Sequence, residues 1–347
     1  MFLTWKSRSA PCSRAGDWVE VRSEEEILRS LSGDGTLEKM PFMPEMLKFC
    51  GQKFRISAIA HKTCDPAHRT GGRRLMNAVH LEDLRCDGAA HGGCQAACLL
   101  FWKTDWLKST SDAGSPGNPV APPGLPRREL ELATAKTGSG GRRVYSCQAT
   151  RLFEATQPLR WWDPRQYILD LTSGNVAFPH MARVLLLSWA AALTRLGFGY
   201  RIAAGIYDRL HRLLMKRPAP RLGGPIPIGQ PTPSEDLRLQ AGEQIRIKSN
   251  DTISGTLNKA GKNRGLWFGE EMVPYCGGTY RVVQRVERII NEVTGEMMEM
   301  KSPCITLEGV VCRSLYSRAR LFCPRAITAY WREGWLERID PDRGRLP

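Results

Sequence analysis

The sequence predicts an α+β protein: two duplicated small β-barrel-like modules, each ending in a C-terminal helix, joined by a helical middle segment. Three observations predict this. First, the chain repeats itself: "AGDWVEVRSEEEILRSL" (15–31) matches "AGEQIRIKSNDTISGTL" (241–257), 226 residues later. With that offset held and no gap, 15 of the 72 positions from 15 to 86 are identical, several times what unrelated sequences give. Phe42 meets Phe268, Glu45-Met46 meets Glu271-Met272, Cys50 meets Cys276 and Cys86 meets Cys312. Three extra residues in the second copy then move the offset to 229, where Cys94 meets Cys323, Trp102 meets Trp331 and Trp106 meets Trp335. Second, the repeated segments alternate apolar and polar residues, the period of a half-buried strand. Third, the segment between them carries helix-start signals.

In chain order, residues 1–14 form an N-terminal tail and 15–108 the first cysteine-containing β module. In it "DWVEVRS" reads as a strand, and Ser23 with Glu26 as the capping box of a short helix. "CQAACLLFW" reads as the C-terminal helix, carrying Cys94 and leading to Trp102 and Trp106. The Pro/Gly/Ser-rich stretch 109–140 is a flexible linker. Residues 141–216 are a helical connecting segment, with Asp163 as N-cap and Pro164 at the first helical position. A second linker covers 217–240. The second module, 241–339, contains "RVVQRVERIINEVTGEMMEMKSPCITLEGVVC", a long hairpin turning at Thr294-Gly295. Residues 340–347 form a C-terminal tail.

The 347-residue chain has a formal charge of +15, which favours an anionic partner: nucleic acid, an acidic protein or an acidic membrane surface. No secretory signal opens the sequence, so a reducing cytoplasm is expected, where clustered cysteines bind metal or do chemistry more often than they pair. The apolar run "VLLLSWAAALT" (184–194) is too short to span a bilayer. It reads as a buried helix, with peripheral membrane attachment through 181–216 as the alternative.

The chain contains 11 cysteines. The pairs Cys50/Cys276, Cys86/Cys312 and Cys94/Cys323 are common to both copies, and three thiols make an incomplete tetrahedral zinc site. If the hairpin places Cys304 on the strand next to the counterpart of His61, the two residues serve one role in the two copies. The expected zinc sets are then Cys50, His61, Cys86 and Cys94 in the first module, and Cys276, Cys304, Cys312 and Cys323 in the second. Cys64, His91 and Cys98 have no counterparts. They allow a different centre in the first module: an iron–sulfur cluster on Cys64, Cys86, Cys94 and Cys98, or a thiolate–imidazole nucleophile drawn from His91, Cys94 and Cys98. No Walker loop, dinucleotide fingerprint, Ser-His-Asp order or zinc-protease helix occurs. His80 reads as an ordinary strand residue.

Each strand-rich basic module resembles the SH3-like barrels of ribosomal and transcription-factor proteins. The whole chain resembles a bacterial protein family of unassigned function with a duplicated cysteine-containing module, a likeness that implies no activity. The expected function is therefore a metal-binding, zinc-type two-module protein with a binding or scaffold role toward an anionic partner. The alternatives are an enzyme with an iron–sulfur or thiolate centre in the first module, and a tandem-barrel nucleic-acid-binding protein.

Overall fold

A computed structural model describes residues 14–109, 124–138, 141–194, 200–220 and 222–339. The expected tails, 1–14 up to Arg14 and 340–347, and the central part of the 109–140 linker lie outside the described residues. The chain is mixed α+β, with several small antiparallel sheets. It divides into two compact units. The first holds residues 1–178 with Arg288–Glu299 and Arg318–Ala326. The second holds Pro179–Glu287, Met300–Ser317 and 327–347.

The first unit is built on a five-stranded antiparallel sheet. Its strand order is Trp102–Lys103, Ala78–Leu81, Lys53–Ile59, Trp18–Val21, Leu107–Ser109. Alternation sorts the faces: Val19 and Val21 are buried while Trp18 between solvent and sheet is 57% exposed. Ser23 caps the helix Glu24–Ser30 and Glu26 returns the bond, completing the capping box. A tight hairpin, Thr36–Leu37 with Met40–Pro41, precedes Phe42. The Phe42 ring meets Trp102 and Trp106 edge-on at 6.2 and 5.1 Å, forming the centre of the core.

In the second unit the sheet order is Met297–Leu307, Thr279–Ile290, Gln244–Ile247, Leu336–Arg338, with the outer part of its long hairpin belonging to the first unit. Its registers stand at the offsets read in the sequence. Trp18 pairs with Arg55 and Gln244 with Arg281; Val19 pairs with Ser109 and Ile245 with Arg338. Ser249 caps the helix Asn250–Gly255, as Ser23 does in the first unit. Phe268 meets Trp331 and Trp335 at 6.1 and 5.4 Å.

Neither expected C-terminal helix forms. Trp106 and Trp335 each end a three-residue 3-10 turn, Thr104–Trp106 and Glu333–Trp335. Residues 94–100 are irregular. Gly92 and Gly93 have φ of 74° and 71° and Ala97 has φ of 49°, the left-handed region that interrupts a helix. Backbone bonds from Cys86 N to Cys98 O and from Leu100 N to Leu84 O draw the segment out as an extended partner of 84–86.

The stretch read as the 109–140 linker contains the helix Arg127–Ala133, whose Leu130 is buried in the first core, and the strand Ala135–Thr137, which pairs with Arg143–Tyr145. The middle segment supplies the helices Gln148–Ala155, Pro164–Thr172, Phe178–Leu193 and Tyr200–Met215. Asp163 caps the second, as its sequence predicts. The third buries Met181, Val184, Leu187 and Ala190, one stripe at helical spacing. Among the described residues no helix is long and apolar enough to cross a membrane.

Candidate metal centre

Glu45 lies in the 3-10 segment Pro44–Phe49, which starts at a proline and ends on Cys50. Cys86 and His91 flank the turn "CDGAAH", closed by bonds from His91 N and Gly93 N to Gly88 O. Gly88 has φ of 72°, and a Cβ there would meet Cys94 O at 2.2 Å, so only glycine fits where the chain folds back on itself. The fold thus brings an acid, a thiol and an imidazole together from segments 40 residues apart in the chain.

Cys86 donates its S–H to Glu45 Oε1 at 3.4 Å, and His91 Nε2 lies 3.4 Å from Cys86 Sγ. Around a tetrahedral zinc with bonds of about 2.0–2.3 Å, neighbouring ligand atoms stand roughly 3.5 Å apart, so these edges are already of the right length. Glu45 and His91 are buried and Cys86 is half-buried. Two buried atoms of the group, Glu45 Oε2 and His91 Nδ1, have no hydrogen-bond partner. Such orphaned atoms cost desolvation free energy unless a water or ion completes them.

The electrostatics point the same way. Burial pushes the Glu45 carboxyl up and the His91 imidazole down. Burial, followed by the Glu45 carboxylate, pushes the Cys86 thiol well up. Burial thus penalises the charged form of each group, most strongly the Cys86 thiolate, which also faces the Glu45 carboxylate. A divalent cation supplies a counter-charge and takes the place of the thiol proton.

Cys86 and His91, though not Glu45, line a small cavity of about 30 Å³ together with Cys94, Cys98 and Cys147. Its walls raise the thiols: burial pushes Cys98 up to about 12 and Cys147 up to about 11. A space of this size holds one water or one ligand atom.

The remaining expected ligands lie elsewhere. Among the described residues, Glu45, Cys86 and His91 are the one set of three metal-capable side chains whose ligand atoms lie within 4.8 Å of one another. The expected sets Cys50–His61–Cys86–Cys94, Cys276–Cys304–Cys312–Cys323 and Cys64–Cys86–Cys94–Cys98 do not converge. Cys50 and Cys276 end their 3-10 segments, packed against the two cores, and burial pushes their thiols up to about 11 and about 12. His61 is drawn to the helix Pro164–Thr172, 3.3 Å from both Gln166 O and Asp170 Oδ1. Its expected equivalence with Cys304 fails because the first sheet's strand stops at Ile59 and residues 62–65 enter a separate three-stranded sheet. In the second unit the corresponding strand runs on to Ile290.

Cys64 is hydrogen-bonded with Cys323, within the first unit, and Arg325 caps the Cys64 carbonyl at 3.1 Å. Cys94 Sγ accepts from Ile290 N at 3.4 Å. Cys304 is buried 3.4 Å from an Arg332 Nη1, and Cys312 Sγ lies 3.5 Å from Ser314 Oγ. The thiolate–imidazole idea changes partner: His91 touches Cys86, and with the thiol raised and the imidazole lowered, neutral forms are favoured over an ion pair.

Two contributors escaped the sequence reading. Glu45 had a visible signal, its identity with Glu271 at the repeat offset. Cys147 lies outside the repeat and had none. In the second unit Glu271 Oε1 accepts from Leu315 N and Tyr316 N at 2.6 and 2.9 Å, so that carboxylate serves the backbone. In comparisons with known proteins, no family model matches the chain and a search of curated proteins finds no match.

Proposed function

We propose that the protein binds a single zinc-type ion in its first unit through Glu45, Cys86 and His91, and that this ion fixes the turn that carries them. The observation that carries the reading is the convergence of Glu45, Cys86 and His91, with ligand atoms within 4.8 Å of one another, His91 Nδ1 3.5 Å from Glu45 Oε1 and Glu45 Oε2 left without a hydrogen-bond partner. Mixed oxygen, sulfur and nitrogen donors suit zinc better than an all-thiolate iron–sulfur cluster, and the adjoining cavity is the size of one ligand rather than of a cluster. The reading extends to two copies of one module, the second without the metal. The shared strand registers, helix caps and Phe–Trp–Trp clusters support that extension. The role is one of binding or scaffolding, and the charge of +15 favours an anionic partner.

A second reading, metal-dependent catalysis, is favoured by one observation: the set has three protein ligands rather than four, and two of them, Cys86 and His91, border a small cavity, a ligand count typical of catalytic rather than closed structural zinc sites. Metal analysis of the protein purified without chelators separates these outcomes. One zinc per chain, lost in Cys86→Ser and His91→Ala, supports the site. Metal-free protein that binds no added zinc overturns it, and iron with acid-labile sulfide returns the cluster reading.

A further inference from the structure

The second unit contains a polar cavity of about 490 Å³ with Trp335 and Thr256 among its lining. Along part of its wall the charges cancel: Lys248 pairs with Glu235 at 3.1 Å, and Arg285 with Glu333 at 2.5 Å and with Asp236 at 3.6 Å. Arg264, Lys301 and Arg332 line the same space. Among the described residues no ion pair is formed by any of these three.

The first unit explains what is missing. The hairpin Thr36–Leu37/Met40–Pro41 corresponds in register to Lys262–Asn263/Leu266–Trp267, and the turn residues Glu38 and Arg264 share left-handed backbone, with φ of 49° and 43°. Lys103 donates to Met76 O at 2.7 Å; Arg332 donates from Nη1 to Ser302 O, the corresponding carbonyl. In the first unit Glu38 closes on Lys103 at 2.6 Å. In the second unit the acid of that pair is replaced by a second guanidinium. Burial first, and the like charge of Arg264 as well, disfavour the Arg332 cation.

We infer that the cavity is an anion site, in which the phosphate of a small hydroxyl-bearing organic phosphate takes, between Arg264 and Arg332, the place that the Glu38 carboxylate takes beside Lys103. The Arg264 guanidinium and the Lys301 ammonium, beside an Arg332 guanidinium held in the wall by the carbonyls of Asn263, Arg264, Ser302 and Pro303, supply positive charge that suits a dianion better than a single carboxylate. The volume exceeds what a bare phosphate fills and falls in the range of small-molecule sites. Ser234 and Thr252 line the same space, with Thr252 Oγ1 2.8 Å from Ser249 Oγ. The inference stands on the second unit alone and is independent of the metal centre.

The test is titration calorimetry of the full chain with inorganic phosphate and with ribose 5-phosphate. Saturable binding of the ester, about tenfold or more tighter than inorganic phosphate, is expected. Arg264→Glu restores the acid–base pair of the first unit, so it should fold with an unchanged or raised melting temperature and weaken ester binding more than about tenfold. Arg332→Met, judged by the same titration, guards against a misfolded first variant. Failure of both phosphates to bind, or binding by Arg264→Glu equal to the parent, overturns the proposal. Equal affinity for the two probes overturns its assignment of the wider cavity to an organic group.

Discussion

Nε2 of His91 lies 3.4 Å from Sγ of Cys86, and neither group favours its charged form. A thiol and an imidazole held neutral this close form a receptive pair for a cation, with Glu45 as the third member. The first prediction follows from that spacing. Cys86→Ser, His91→Ala and Glu45→Gln should each weaken zinc binding by about tenfold or more, read by competition with a chromophoric chelator. Cys312→Ser, in the unit without the histidine, should leave zinc content unchanged.

Loading should also release protons. With burial holding Cys86 as the thiol, zinc displaces about one proton from it per ion near neutral pH. Calorimetry in buffers of different ionisation enthalpy measures the number. It should fall in Cys86→Ser, and a release of zero in the parent would mean that Cys86 is not a ligand.

His80 predicts a pH dependence. Its ring is fully buried on the strand Ala78–Leu81, Nδ1–H donates to Leu100 O at 2.9 Å, and Nε2 has no partner to receive a second proton. Burial lowers its pKa from 6.5 to about 4. The folded state therefore binds this proton less readily than the unfolded chain. The contribution is fully present above about 6.5 and is lost as the pH falls toward about 4, on the order of 3 kcal/mol in all. Denaturant melts across that window should show the loss, and His80→Leu should flatten it.

Lys62 and Asp170 form a buried pair at 2.6 Å, with the Tyr167 and Phe322 rings over the ammonium. Asp170→Asn leaves the buried ammonium without its counter-charge and should cost about 3–5 kcal/mol. The double variant Lys62→Met, Asp170→Leu should recover most of that loss. Equal loss in single and double variants would point to packing rather than charge.

Trp106 and Trp335 are both fully buried, each edge-on to a phenylalanine. Replacing either with alanine should cost about 3–5 kcal/mol. The two-copy reading expects similar costs at the two positions in chemical unfolding, and strongly unequal values would count against it.

What the sequence revealed was what depends on local pattern. The alternation in "DWVEVRS" and "EQIRIKS" predicts strands, and they form at Trp18–Val21 and Gln244–Ile247 because one face of each meets a core. Ser23 and Asp163 predict caps because capping is satisfied within four residues. The ligand sets were harder to read because they depend on where the chain leaves a sheet. A bend after Ile59 sends His61 to Asp170, and nothing in the spacing of cysteines marks that bend. The expected helix at Cys94 had the right periodicity, but Gly92, Gly93 and Ala97 take left-handed backbone and residues 98–100 pair with 84–86. Glu45 is marked in the sequence only by its repeat at Glu271, and its burial, with that of Phe42, Met43 and Met46, depends on tertiary packing that local pattern does not show.

The first unit is discontinuous, and this has a consequence for how the protein is made. Ile290, whose backbone N–H reaches Cys94, and Arg325, which caps Cys64 and pairs with Glu292, belong to the first unit but are encoded far downstream of Phe178. At the roughly 5–20 residues per second of synthesis, they leave the ribosome about five to thirty seconds after the rest of that unit. During that interval the nascent chain has the thiol-lined wall beside Cys86 and His91 without its Ile290 and Glu292 side. A stop codon anywhere before residue 288 therefore does more than delete the second unit: it leaves the first permanently in its unfinished, translating form.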